Sequence, residues 1–165
     1  MWLNDEKVSG SAVCSYRKSL LDSCPNHVVI DGLFDEKKLD EVLDLLGQEH
    51  CWQTQQHTYS TLYADREEWE QSSQEERFVQ RDLWRGQELK GQKSCAAQEL
   101  LSFLRGDEFM SFLSRIFNVI LTDMNVADPL VNTNYFRLGS ADFVELHADD
   151  SPGRELCILL YLNKD

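Results

Sequence analysis

An α+β fold, with helices first and short strands after, is the class this sequence predicts, and three observations predict it. Amphipathic helical periodicity occurs at Leu39 to Leu46 and again between Ala96 and Leu121. Short runs rich in β-branched and aromatic residues crowd the end of the chain at Leu130 to Leu138, Phe143 to Asp149 and Leu156 to Leu162, and turn residues separate them. With 165 residues, 42% of them hydrophobic, and only eight Gly and three Pro, the sequence reads as one globular domain long enough to bury a core.

Taken in order, Met1 to Gly10 carries Asp5, Glu6 and Lys7 where a signal peptide would place its apolar stretch. Val28-Val29-Ile30 is a β-branched run ending at the turn signal Asp31-Gly32, and it predicts a strand. Asp35 then predicts a helix N-cap. Leu39, Val42, Leu43 and Leu46 follow at helical spacing, Phe34 and Leu39 occupy the two positions of a hydrophobic staple, and Gly47 supplies the stop. From Gln48 to Lys93 the chain is polar, with Asp65, Glu67, Glu68, Glu70, Glu75 and Glu76 crowded around Trp69. This stretch reads as a solvated helix and loop. In a second reading Trp52, Tyr59, Tyr63, Trp69 and Trp84 belong partly to a substrate-facing loop, and the sequence leaves both open. A helical region from Ala96 to Leu121 is broken at Gly106-Asp107, where Asp107 caps a helix carrying Phe109, Phe112, Leu113, Ile116 and Phe117 as core. Asp128-Pro129 opens the strand region, and Gly139-Ser140 and Ser151-Pro152-Gly153 make its turns.

The balance of 16 basic against 29 acidic residues, a net charge of −13, repels phosphate backbones and argues against nucleic acid as a direct partner. A basic protein or peptide is compatible with it. No apolar stretch approaches the roughly 20 residues that a membrane-spanning helix needs. Cys14, Cys24, Cys51, Cys95 and Cys157 are odd in number and widely spaced, so they read as reduced thiols and place the chain in a cytoplasmic compartment.

The sharpest functional signal is His147-Ala148-Asp149. In an extended strand residues two apart share a face, so this spacing presents an imidazole beside a carboxylate, two thirds of the facial triad that holds non-haem Fe(II) and leaves three positions open. The other histidines, His27, His50 and His57, read as surface or hydrogen-bonded side chains.

The order Asn134-Tyr135-Phe136-Arg137-Leu138-Gly139, Asp142-Phe143-Val144, His147 to Asp149, Gly153-Arg154 and Leu159 to Asp165 resembles the 2-oxoglutarate and Fe(II)-dependent dioxygenases, in particular their prolyl hydroxylase-like branch. The resemblance covers residues 131 to 165 and is weaker before them. It implies a double-stranded β-helix (jelly-roll, cupin-like), with residues 1–128 as helical support, 129–165 as the start of the β-core, and the barrel incomplete. It also implies hydroxylation of a protein or peptide, with Fe(II), 2-oxoglutarate as cosubstrate, and ascorbate as an accompanying reductant. His147 and Asp149 match the family's metal ligands. Tyr161 matches the tyrosine that hydrogen-bonds the distal carboxylate of 2-oxoglutarate, and Tyr135 one lining the same pocket. A carboxylate at position 149 suits hydroxylation, because the related halogenases carry a small residue there. The family's second histidine ligand and its basic cosubstrate anchor lie downstream of the strand that Leu156 to Leu162 matches, and this sequence contains neither. The expectation is therefore an N-terminal portion of a longer enzyme or a truncated product, with Leu156 to Leu162 as an apolar edge. Two alternatives stand beside it: an inactive binding or interaction protein keeping the first half of the fold, and a cupin-like domain with another divalent metal.

Overall fold

The computed structural model describes residues 1–86, 94–122, 133–147 and 156–163. Among them are five α-helices and a small, open antiparallel sheet of four strands. The chain forms two compact units: Met1–Gly47 with Lys93–Thr133, and Gln48–Gln92 with Asn134–Asp165.

The first unit is helical. Helix α1 (Gly10–Asp22) starts where the Ser9 hydroxyl accepts from the Ala12 N–H at 3.3 Å, and only Val13 and Leu20 of it are buried. Helix α2 (Glu36–Leu46) begins at the expected cap, with Asp35 accepting from the Lys38 N–H at 3.0 Å. Val42 is fully buried, while Leu39, Leu43 and Leu46 are half-buried. Gly47 ends the helix as expected, but in a right-handed conformation, with its N–H on the Leu43 carbonyl at 2.9 Å.

Helix α4 (Ala96–Leu104) and helix α5 (Asp107–Phe117) are separated by Gly106, which is itself the N-cap, so Asp107 is the first helical residue and not the cap. Their apolar stripes close the core. Leu100, Phe109, Phe112 and Ile116 are buried, with Phe109 in ring contact with Phe34, Phe103 and Phe112. Phe117, expected in the core, is exposed at the end of the helix, and Asn118 stops the helix in the left-handed conformation (φ 56°) that asparagine tolerates. Helix α1 packs on α5, held by Arg17 donating to the Arg115 carbonyl at 2.7 Å and Arg115 to the Val8 carbonyl at 3.1 Å.

Val28 to Ile30 is not a strand, and Val29 is exposed. β-Branched residues make a strand only with a partner ladder, and the pairing here falls elsewhere: Leu3 bridges Phe34, Asn4 N–H donates to Leu33 O, and Asp35 N–H to Trp2 O. Asp31-Gly32 does turn, with Gly32 at φ +64°.

The second unit is built on a stretch whose polarity suggested helix and loop. Strand β1 (Trp52–Thr58) pairs antiparallel with strand β2 (Arg77–Trp84), and the short helix α3 (Arg66–Gln71), capped by Asp65, lies between them in sequence. Trp69 of α3 is buried beneath the Arg77 guanidinium, 4.9 Å from its ring. The polar run hid β1 because much of what it buries is polar: Gln55, His57 and Thr58.

On the other side of β2 lie two short strands, β3 (Phe136–Arg137) against Leu83 and Asp82, and β4 (Phe143–Val144) against Gln80 and Val79. They behave as one strand broken by an excursion at Gly139-Ser140, where the Gly139 N–H donates to the Asp142 carboxylate at 2.7 Å and the Asp142 N–H to the Gly139 carbonyl at 3.1 Å. The expected strands are thus shorter than the sequence suggested. Leu156 to Leu162 forms no strand, with Leu159 and Tyr161 largely exposed; no partner ladder reaches it among the described residues. Asp128-Pro129, Ser151-Pro152-Gly153 and Arg154 lie outside the described residues.

Candidate functional site

Alternation along β2 sorts the sheet into two faces. One carries Trp84, Asp82, Gln80 and Phe78 with Trp52, Thr54, Gln56 and Arg137 beside them; the other carries Leu83, Arg81 and Val79 with Gln53, Gln55, His57, Phe136 and Val144. Contacts agree with this sorting. Thr54 Oγ1 donates to Asp82 Oδ1 at 3.1 Å and Gln56 Nε2 to Gln80 Oε1 at 2.9 Å on the first face, whereas Arg81 lies 3.6 Å over the Phe136 ring on the second.

Of the residues expected from the motif, His147 and Tyr135 fall on the first face. His147 stands just beyond β4, exposed, with its ring edge-on to Phe78 at 5.3 Å. Its Nδ1 lies 2.8 Å from the Glu145 carbonyl oxygen. A carbonyl only accepts, so Nδ1 carries the proton, and in the neutral ring Nε2 keeps the lone pair that a metal ligand requires. The same geometry occurs at His27, whose Nδ1 is 2.9 Å from Pro25 O, so this tautomer is a local property of the chain and not unique to position 147.

Tyr135 is buried at 7% exposure, with its ring edge-on to Trp84 at 5.4 Å. Phe78 and Trp84 are six residues apart on one strand, about 20 Å of rise, so the structure sets Tyr135 and His147 on one face without bringing them together. Tyr161 is 81% exposed. Asp149 lies outside the described residues, and among the described residues no group of three or more His, Cys, Asp and Glu side chains is placed to hold a metal ion. An imidazole nitrogen is a donor type that suits Fe(II), and of the two expected ligands only His147 lies among the described residues.

An ion-pair network occupies the middle of this face. Arg137 donates through Nη2 to Asp82 at 2.8 Å and through Nη1 to Glu49 at 2.8 Å, its guanidinium 4.9 Å over Trp52. Hydrogen bonds to the two carboxylates push Arg137 above the usual arginine range. This pairing fastens β3 to β2.

The second face holds a polar cluster that motif reasoning missed. His57 is only 6% exposed; its Nδ1 accepts from the Tyr63 N–H at 3.4 Å, and the Tyr63 ring lies 4.8 Å away. Since Nδ1 is the acceptor, Nε2 carries the proton, and that buried N–H has no hydrogen-bond partner among the described residues. Burial, and then the nearby Arg81 guanidinium, lower the His57 pKa, which keeps the ring neutral at pH 7. Arg81 donates from Nε to Gln55 Oε1 at 2.9 Å, and burial lowers its pKa too. Only the pairing register reveals this cluster, since Gln55, His57, Tyr63 and Arg81 form no motif in sequence.

Comparison with protein-family models, with curated proteins and with solved structures found no match to this chain.

Proposed function

We propose that this chain is an Fe(II)- and 2-oxoglutarate-dependent dioxygenase of the prolyl hydroxylase-like kind, hydroxylating a protein or peptide. The observation that carries the reading is His147: it closes an extended segment after β4, presents the Nε2-basic tautomer through its Nδ1 contact to Glu145, and is followed two residues later by Asp149. His147 and Asp149 would hold the metal, which when bound supplies oxidative decarboxylation of 2-oxoglutarate coupled to substrate hydroxylation. The chain's own part is to orient the His147 ring against Phe78 and to place aromatic walls, Tyr135 and Trp84, on the same face. Tyr161 is assigned to the distal carboxylate of the cosubstrate, and β3 and β4 to the first strands of a jelly-roll. We read the five cysteines, odd in number and widely spaced, as reduced thiols, in keeping with a reducing, cytoplasmic setting. Among the described residues no helix is long and apolar enough to cross a membrane.

The alternative is an interaction protein that keeps the first half of the fold without turnover. Anaerobic Fe(II) titration separates the two. Weak binding abolished by His147→Ala supports the metal site; no binding, or binding indifferent to that substitution, favours the alternative.

A further inference from the structure

We propose that the Gln55–His57–Tyr63–Arg81 cluster is a binding site for a carboxylate, on the face of the sheet opposite Tyr135. Two independent observations call for an acceptor there. The first is the His57 Nε2–H, buried in a side chain 6% exposed and without a hydrogen-bond partner among the described residues. A buried donor left unmade is uncommon in folded chains and asks for an explanation.

The second is the Arg81 guanidinium. In a chain of net charge −13 it has no carboxylate within ion-pair distance among the described residues, and its one hydrogen bond is the Nε contact to the neutral Gln55 amide. Strand alternation is the cause. Asp82, its chain neighbour, points to the opposite face and is taken by Arg137. Arg81 lies 3.6 Å over Phe136, a stacking that fixes the guanidinium plane and leaves its edge for in-plane contacts.

His57 and Arg81 are diagonal neighbours on one face, two positions apart in the β1–β2 register, and Tyr63 joins them with its ring against His57. Tyr63 holds a left-handed conformation (φ 56°), a strained state for an aromatic residue, and in it donates its N–H to His57 Nδ1, which leaves Nε2–H as the ring's donor. With His57 neutral, the site carries one positive charge. A planar monoanion matches that charge and the guanidinium edge together, whereas a phosphate dianion leaves uncompensated charge in a half-buried place. Arg81 is half-buried and Tyr63 43% exposed, so entry is from their side.

The test uses the whole chain, isotope-labelled, in NMR titrations at pH 7 with sodium acetate replacing chloride at constant ionic strength. The expected result is a saturable shift of the Arg81 Nε–H and the His57 ring resonances, with a weaker response to inorganic phosphate. Arg81→Gln should weaken binding roughly tenfold or more, and Arg81→Lys, which keeps the charge but loses the fork, should weaken it as well. A blocked aspartyl tripeptide and its asparaginyl counterpart distinguish sources: response to the aspartyl peptide alone assigns a protein-borne carboxylate, and response to acetate alone a small free acid. The proposal is overturned if neither acetate nor the aspartyl peptide gives a saturable shift at these two residues, if phosphate binds more tightly, or if both Arg81 variants respond like the wild type. Should Arg81→Gln fail to fold, Arg81→Lys and the wild-type anion preference decide the matter.

Discussion

Replacing His57 with phenylalanine should stabilise the protein, an unusual outcome for a buried polar residue. The wild-type ring buries an N–H with no acceptor among the described residues, and leaving such a donor unmade costs about 1–3 kcal/mol. What the substitution loses is the Tyr63 N–H contact to Nδ1, at 3.4 Å a long hydrogen bond, worth roughly 0.5 kcal/mol at that length. The aromatic contact with Tyr63 survives, because the rings are alike in shape. The net gain is about 0.5–2.5 kcal/mol, each kcal/mol being worth roughly 2–4 °C in melting temperature for a chain of this size. There is a pH signature as well. Burial holds the folded His57 pKa below its unfolded value of 6.5, so below that value the unfolded state binds more protons. This contribution to stability is complete above pH 6.5 and is lost as the pH falls towards the folded pKa. His57→Phe should flatten that part of the profile. Urea unfolding of both proteins between pH 5 and 8 measures both effects. A His57→Phe protein less stable than wild type by about 1 kcal/mol at pH 7 would mean that the Nε2–H is satisfied in solution, and would refute the reasoning. A stability cost retained at one buried side chain is what a binding site imposes.

Three further outcomes follow from the packing. Leu100→Ala, at a fully buried position of α4, should cost about 2–5 kcal/mol by urea unfolding; a loss under about 1 kcal/mol would place Leu100 outside the core. Asp35→Ala removes the cap of α2 and should cost about 1 kcal/mol, whereas Asp35→Asn, which keeps the acceptor oxygen, should cost less; equal losses would show that charge, and not capping, is what matters. Tyr161→Phe should leave stability within about 0.5 kcal/mol, since the side chain is 81% exposed, and should weaken 2-oxoglutarate affinity about tenfold or more in a form that binds it. A large drop in melting temperature with unchanged cosubstrate affinity would make Tyr161 a packing residue.

How much of this was legible in the sequence depended on which residues each element buries. Helices α2, α4 and α5 announce themselves because Val42, Leu100, Phe109, Phe112 and Ile116 recur at helical spacing and all go inside. Helix α1 does not, since Val13 and Leu20 are its only buried residues. Strand β1 was hidden by the same logic in reverse: Gln55 and His57 alternate inward, but a hydrophobicity reading registers them as solvated. Val28 to Ile30 and Leu156 to Leu162 have strand composition without a strand, because composition cannot supply a neighbouring ladder. The candidate metal position was visible as a two-residue spacing, and the structure adds the ring tautomer at His147. The Arg81 cluster was invisible, because it exists only through the β1–β2 register.

The most direct test of the metal assignment is to titrate the isotope-labelled chain with Mn(II), a paramagnetic stand-in for Fe(II) that resists oxidation, and to map which NMR signals broaden. The account predicts broadening centred on His147, spreading to Glu145 and Phe78, and lost in His147→Ala. Broadening centred on the acidic segment around Trp69 or on His27, and unchanged in that variant, would contradict it.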